Sequence, residues 1–283
     1  MIPPQSMRHI LIEPTFAAWR THARLLLMND IPPEEVTFID HKAEISTWLF
    51  AASEAAPLER QHKPIFVPKD FLARAPIVAC NRDPQRWNLL YNLLWRLQHN
   101  RYLLGHATDD DVIAFERMED SVLYDRHKMH AFVRFRKVTD AHGEHFIAWH
   151  EPDHHILRIA APFFVERFAT MRWSILTPEE CAHWDPATQQ LTFTAGVTRD
   201  HAPQSDELEA HWKTYYGAIF NPARLNTRAM RSDMPSRYWK NMPELDTLPD
   251  LLKKAPSRVE NMIEDATQQK TPRRPGFAKG SGK

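Results

Sequence analysis

The sequence predicts an α+β protein: a central antiparallel sheet with flanking helices and a small N-terminal βαβ-like unit. Three observations carry that expectation. Apolar residues recur at helical spacing in several stretches, most clearly Leu89, Leu90, Leu93, Leu94 and Leu97. Around Asp140-Ala141-His142-Gly143 two segments alternate with the two-residue period of a hairpin, and Asp and Gly suit its turn. Further strand-like segments follow with short connections, which favours antiparallel neighbours over a wound parallel sheet.

In chain order, His9 to Glu13 is a short apolar run. Phe16, Trp19, Ala23, Leu26 and Leu27 then form a helical stripe, stopped by Ile31-Pro32-Pro33, and Val36 to Ile39 reads as a second strand. The first turn carries Pro14-Thr15 instead of glycines, so this unit reads as scaffold and not as a phosphate site. Ala43 to His62 is irregular and reads as linker or a loosely held helix. Val67 to Phe71 begins a helical stretch in which Asp83-Pro84 forms an N-cap and N1 pair. A further helix is expected over Asp109 to Tyr124, its three leading acids a solvated start facing the helix dipole.

The stretch DRHKMHAFVRFR, Asp125 to Arg136, is expected to turn from helix into strand. Ala131, Val133 and Phe135 would face a core, and His130, Phe132, Arg134 and Arg136 the open side. The strand runs to about Val138 and returns over His145 to His150. Short strands are expected at His155 to Ile159, Arg172 to Leu176 and Leu191 to Thr194, with a helix over Ala160 to Thr170 and a capped turn at Thr177 to Glu180. Ser205 to Phe220 and Ala223 to Met234 read as helices, and Leu245 to Ile263 as apolar-periodic but broken by Pro249 and Pro256. Residues 1–264 are taken as one domain with an N-terminal subdomain at 1–62. Residues 265–283, which carry five positive charges and no acid beyond Asp265, are taken as a disordered basic tail.

Composition bounds the function. The chain has 283 residues, 43% hydrophobic, with 36 Lys and Arg against 36 Asp and Glu. Two cysteines without a paired motif argue against a disulfide framework, a cysteine zinc site or an iron–sulfur cluster, and fit a cytoplasmic protein. No apolar run approaches the roughly 20 residues a membrane span needs, so no membrane association is expected. Seven glycines leave neither a Walker A sequence nor GxGxxG, so no cofactor is expected. Neutrality hides local basicity: His211 to Lys240 has six Lys and Arg against one acid, Asp233.

These clusters point to nucleic acid. Arg134 and Arg136, with Arg224, Arg228 and Arg231 on one helical face, would hold phosphates, and Phe132 or a tryptophan among Trp149, Trp173, Trp184, Trp212 and Trp239 would stack a base. His127, Lys128, His130 and His150 are the candidate catalytic groups. Lys128 reads either as a phosphate contact or as an amine able to form a Schiff base with an opened deoxyribose. The histidines, with His154 and His155 nearby, would converge at one end of the sheet, but their spacing matches no ligand motif and no metal is expected.

The runs HKMHAFVRFR, AWHEPDHHIL, APFFVERFATMRWSILTPEECAHWD and WKTYYGAIFNPARLNTRAMRSDMPSRYWKNMPE add a resemblance covering roughly Ile10 to Ile263. They resemble an uncharacterised bacterial domain found ahead of UdgX-type uracil-DNA glycosylases. It also occurs alone as a "probable DNA metabolism protein" associated with a radical SAM DNA repair or modification protein. The resemblance implies a DNA repair setting and a radical SAM partner, and it supplies no catalytic residue. The expected role is a DNA-binding accessory protein presenting DNA to a partner enzyme. The rivals are a DNA lyase, glycosylase or nuclease using the Lys128/His cluster, and an assembly subunit whose basic surfaces contact only protein.

Overall fold

The computed structural model describes residues 7–40, 64–141, 143–203, 214, 234 and 236–269. It is α+β. A two-stranded parallel unit, β1 (Arg8–Ile12) and β2 (Val36–Asp40), is linked by α1 (Phe16–Met28). After α2 (Lys69–Val78), α3 (Arg86–Leu97) and α4 (Asp110–Phe132) comes a five-stranded sheet in the order β3-β4-β5-β6-β7. Its strands are β3 (Arg136–Asp140), β4 (Gly143–Trp149), β5 (Trp173–Leu176), β6 (Glu180–Asp185) and β7 (Gln190–Ala195). Helix α5 (Leu157–Arg167) connects β4 to β5, which pair in parallel, while the other three pairings are antiparallel. The last helix, α6 (Leu248–Gln269), runs through Pro256.

The N-terminal unit forms as its periodicity predicts. Thr15 caps α1, its Oγ1 accepting from Ala18 N at 3.2 Å, so the residue that replaces a glycine at this turn serves the helix. The α1 stripe, with Trp19 and Leu26 buried, packs with Phe38 of β2 against Trp87, Leu90 and Leu93 of α3. Each such side chain contributes roughly 1.5–3 kcal/mol by leaving water. Asp83 forms the turn that leads into α3, its carboxylate accepting from Gln85 N at 2.8 Å. Arg86 is buried outright: it pairs with Asp40 at 2.9 Å and lies 4.4 Å from the Trp87 ring centroid. Asp40 also accepts from Trp87 Nε1 at 2.5 Å, so one carboxylate ties the end of β2 to the start of α3.

Helix α4 is the spine. Asp109 caps it, accepting from Asp111 N and Val112 N at 3.1 and 3.3 Å, and Arg96 pairs with Asp109 and Asp111. Its first half, through Val112 and Phe115, joins the N-terminal core. Its second half, through Val122 and Met129, joins a second core with Ala148, Trp173, Ile175, Ala182 and Trp184 of the sheet and Phe164 of α5.

Several expectations are corrected. The helix continues to Phe132 and does not end near Tyr124, so His130, Ala131 and Phe132 are helical and the outward strand face carrying His130 and Phe132 does not form. Val133 and Phe135 do pack in the second core. The segment from His155 to Ile159 is not a strand, because α5 already begins at Leu157. The stretch after Thr177-Pro178-Glu179 is itself a strand, β6, which the expected turn leading directly to Leu191 left out. Apart from residues 214 and 234, the expected helices over 205–220 and 223–234 lie outside the described residues, as do the 43–62 segment and 270–283; the tail expected to be disordered from 265 is helical as far as Gln269, where α6 ends.

Burial pushes the His130, His145, His155 and His183 imidazoles below their ordinary value, in each case as the largest influence. The unfolded chain therefore binds more protons near pH 6.5 than the folded one, so stability rises with pH there and falls as pH drops below about 6.5. Urea denaturation should show a lower midpoint at pH 5.5 than at pH 7.5, and an unchanged midpoint would contradict the burial. Separately, Asp40→Ala should cost about 3 kcal/mol or more, since it strands a buried guanidinium. Denaturation of that variant within 1 kcal/mol of wild type (roughly the span of an exposed pair) would rule the pair out as a structural tie.

Candidate functional site

The helical period sorts the predicted catalytic residues onto two faces of α4. Tyr124, Lys128 and Phe132 are four apart and share one face. Lys128 is buried, with Nζ 4.5 Å from the Tyr124 ring centroid and 5.8 Å from that of Phe132. Such an arrangement holds an ammonium against π faces in place of water. One turn earlier Asp125 is buried too, accepting from His154 N at 2.9 Å and from the Tyr238 hydroxyl at 3.4 Å.

Tyr238 is the junction. Its ring stacks on His150 at 5.3 Å and 6° and on Phe132 at 5.3 Å and 28°. His150 follows β4 and is almost fully buried, its backbone N–H donating to Leu176 O at 3.0 Å. Thus Tyr238 links Lys128's aromatic neighbour Phe132 to His150, and its hydroxyl reaches Asp125. An ammonium, a carboxylate, a phenol and an imidazole are gathered here behind the surface.

His127 and His130 belong elsewhere. His127 is exposed. His130 stacks on Phe163 at 4.1 Å and meets Phe164 edge-on, toward α5. Burial holds it neutral near pH 7, helped by the nearby charges of Arg126 and His127 and opposed by a hydrogen bond to the Ala160 backbone. The expected convergence of histidines is not found. His154 Nδ1 accepts from Arg82 N at 3.2 Å, leaving Nε2 to donate to Ser121 Oγ at 2.7 Å, while His155 Nδ1 pairs with Glu179 at 2.6 Å. Among the described residues no group of three His, Cys, Asp or Glu side chains is placed to hold a metal.

The predicted binding residues divide in the same way. Arg134 folds back on the α4 terminus, donating to Ala131 O at 2.8 Å and Val133 O at 3.2 Å. Arg136 opens β3 and donates to Pro203 O at 2.5 Å. Both line one recess with Trp149, Asn241 and Arg199, which the sequence reading did not single out. Arg199 Nη1 makes no hydrogen bond among the described residues, and its contact with Glu151, at 3.9 Å, is an ion-pair distance only. The recess measures about 20 Å³, too small to enclose a phosphate. Phe132 is committed to Tyr238, Trp173 and Trp184 are buried in the second core, and among the described tryptophans of the five, Trp149 borders the recess. Trp239 donates to Met234 O at 2.9 Å. Arg224, Arg228, Arg231 and Trp212 lie outside the described residues.

Nothing in local sequence announces Arg199 or Tyr238, since each reaches the site from a distant segment. Asp125 was signalled weakly, as an acid three residues from Lys128 in a helix with apolar neighbours.

No helix among the described residues is long and apolar enough to cross a membrane. Comparison with curated proteins and with solved structures found no match. A family model described as a domain of unknown function, DUF4130, matches residues 84–244, which include α3, α4, the whole five-stranded sheet, the arginine recess and Tyr238. That match takes in more than half of the 283 residues, and the chain belongs to the DUF4130 family.

Proposed function

We propose that this protein is a DNA-binding accessory factor in DNA repair or modification, which presents DNA to a partner enzyme. The observation that carries the reading is the meeting of Arg134, Arg136 and Arg199 at one recess bordered by Trp149. Guanidinium groups suit phosphate oxygens because their planar donors match them two at a time. The family resemblance noted above adds context: its relatives' association with a radical SAM protein, and their fusion to uracil-DNA glycosylases, make such an enzyme the partner of choice.

A second reading has its own support. Lys128 is 6% exposed, beside Asp125 and the Tyr238–His150 stack, which is a poor position for a phosphate contact and a reasonable one for a shielded amine. On that reading the protein is itself a lyase, forming a Schiff base with an abasic site.

Fluorescence anisotropy with labelled single-stranded, duplex and abasic DNA at several salt concentrations separates the two. Affinity should fall steeply with salt, and Arg136→Ala or Arg199→Ala should lower the salt slope by about 1 each, because one phosphate contact is lost. Arg24→Ala, an exposed change on α1, should leave it unaltered. Binding without salt dependence, or none at low salt, would remove the nucleic-acid reading and leave an assembly subunit that contacts protein alone. Borohydride added to abasic DNA should trap no adduct; an adduct that disappears in Lys128→Ala would establish the lyase instead.

A further inference from the structure

The open face of the five-stranded sheet, opposite α5, is divided in two. Toward one end Trp149, Leu176 and Cys181 pack beneath Ala202 as a small apolar cluster. Toward the other the inward positions are polar. His145 of β4, Ser174 of β5 and His183 of β6 lie side by side, Ser174 directly opposite His183 in the ladder. Ser174 Oγ is 2.8 Å from His145 Nε2 and 2.7 Å from His183 Nδ1, and His183 Nε2 is 2.9 Å from Thr194 Oγ1 on β7. On the far side, His145 Nδ1 is 3.7 Å from Asp140 Oδ2, and Asp140 pairs with Arg172. His145, Arg172, Ser174 and His183 line a cavity of about 390 Å³ together with Trp184, Asp185 and Gln190, while Asp140 and Thr194 stand behind its wall. Polar residues are ordinary on an open sheet face; what sets these apart is that a hydroxyl lies between two imidazoles, within hydrogen-bond distance of both.

We propose that this cavity is a hydrolytic site, separate from the arginine recess, in which Ser174 is the nucleophile and His145 its base, acting on a small carboxylic ester. The hydrogen bonds can run in one direction: Thr194 to His183 Nε2, His183 Nδ1–H to Ser174 Oγ, Ser174 O–H to His145 Nε2, and His145 Nδ1–H toward Asp140. In that state Ser174 offers its proton to an imidazole whose other nitrogen faces a carboxylate, which is the arrangement of roles that activates a hydroxyl. Burial keeps both imidazoles neutral near pH 7, so His145 can accept a proton there.

In the reaction Ser174 Oγ bonds to the ester carbonyl carbon and its proton passes to His145 Nε2. The carbonyl π pair moves onto oxygen. Arg172 provides the donor for that charge: it lines the cavity, and its buried Nε–H has no hydrogen-bond partner among the described residues. The tetrahedral species collapses, breaking the bond to the alkoxy group, which leaves as the alcohol with the proton from His145. Water, deprotonated by His145, then attacks the acyl-serine; the acid departs and Ser174 recovers its proton. No other reactant is needed. The cavity volume suits a substrate of nucleoside size or smaller.

The test uses the full chain and a fluorophosphonate probe at pH 7.5, with the labelled residue mapped by mass spectrometry on the wild-type protein, so that it does not depend on any variant folding. One probe per chain on Ser174 is expected, with turnover of p-nitrophenyl acetate lost in Ser174→Ala. His145→Gln should slow labelling by a hundredfold or more, and Arg172→Gln should lower kcat while the thermal midpoint of each variant is followed in parallel. No adduct at Ser174 on the folded wild-type chain, or labelling undiminished in His145→Gln, overturns the proposal and leaves the hydrogen-bonded chain as a structural element.

Discussion

The structure depends on one helix serving two cores. Helix α4, 23 residues long, spans about 35 Å at 1.5 Å per residue, enough to begin among α2 and α3 and end beneath the sheet. Its first-turn acids are anchored by Arg96, its middle is buried on one side by Val112, Phe115 and Val122, and its last turn delivers Phe132 to Tyr238. The same helical period that builds the cores decides which polar residues can meet. Lys128 and His130 are two apart, hence on opposite faces, and no rearrangement short of unwinding the helix would bring them together.

That constraint also explains where the sequence was legible. The N-terminal unit could be read because strand, helix and strand each carry an unmixed period, bounded by Pro32-Pro33. The hairpin could be read because Asp140 and Gly143 mark its turn, with Gly143 at φ 99°, a conformation that glycine adopts without strain. The end of α4 could not, because Met129, Ala131, Val133 and Phe135 alternate like a strand while Val122, Met129 and Val133 also lie at helical spacing. Local pattern supports both, and packing against α5 decides. Strand β6 was missed because the Thr-Pro-Glu-Glu turn was taken to lead directly to the strand at Leu191; the turn itself forms as read, Thr177 Oγ1 donating to Glu180 O at 2.6 Å.

The candidate site was legible only in part, for a related reason. Arg134, Arg136, Lys128 and His150 stand out as chemistry-bearing residues within one stretch of chain. Their partners do not: Arg199 and Tyr238 arrive from beyond the sheet, 63 and 102 residues after Arg136 in the numbering, and no periodicity encodes such a meeting. A contiguous basic run thus gave the right neighbourhood without the right faces. Phe132, read as a platform for a base, is already stacked on Tyr238, and Trp149, which borders the recess, is itself packed into a small apolar cluster.

The sheet's one parallel pairing divides it into two pieces of different kinetic character. On one side β3 and β4 are joined by a tight hairpin, and on the other β5, β6 and β7 follow one another with short connections, so each piece can zip locally at small entropic cost. The joint between β4 and β5 can close only after the chain from His150 to Arg172, including α5, has looped back. Loop closure must precede any gain from that contact, so it carries most of the sheet's topological cost. The bond between His145 and Ser174 crosses this same seam, so the polar chain on the open face is assembled only when the two halves of the sheet have come together.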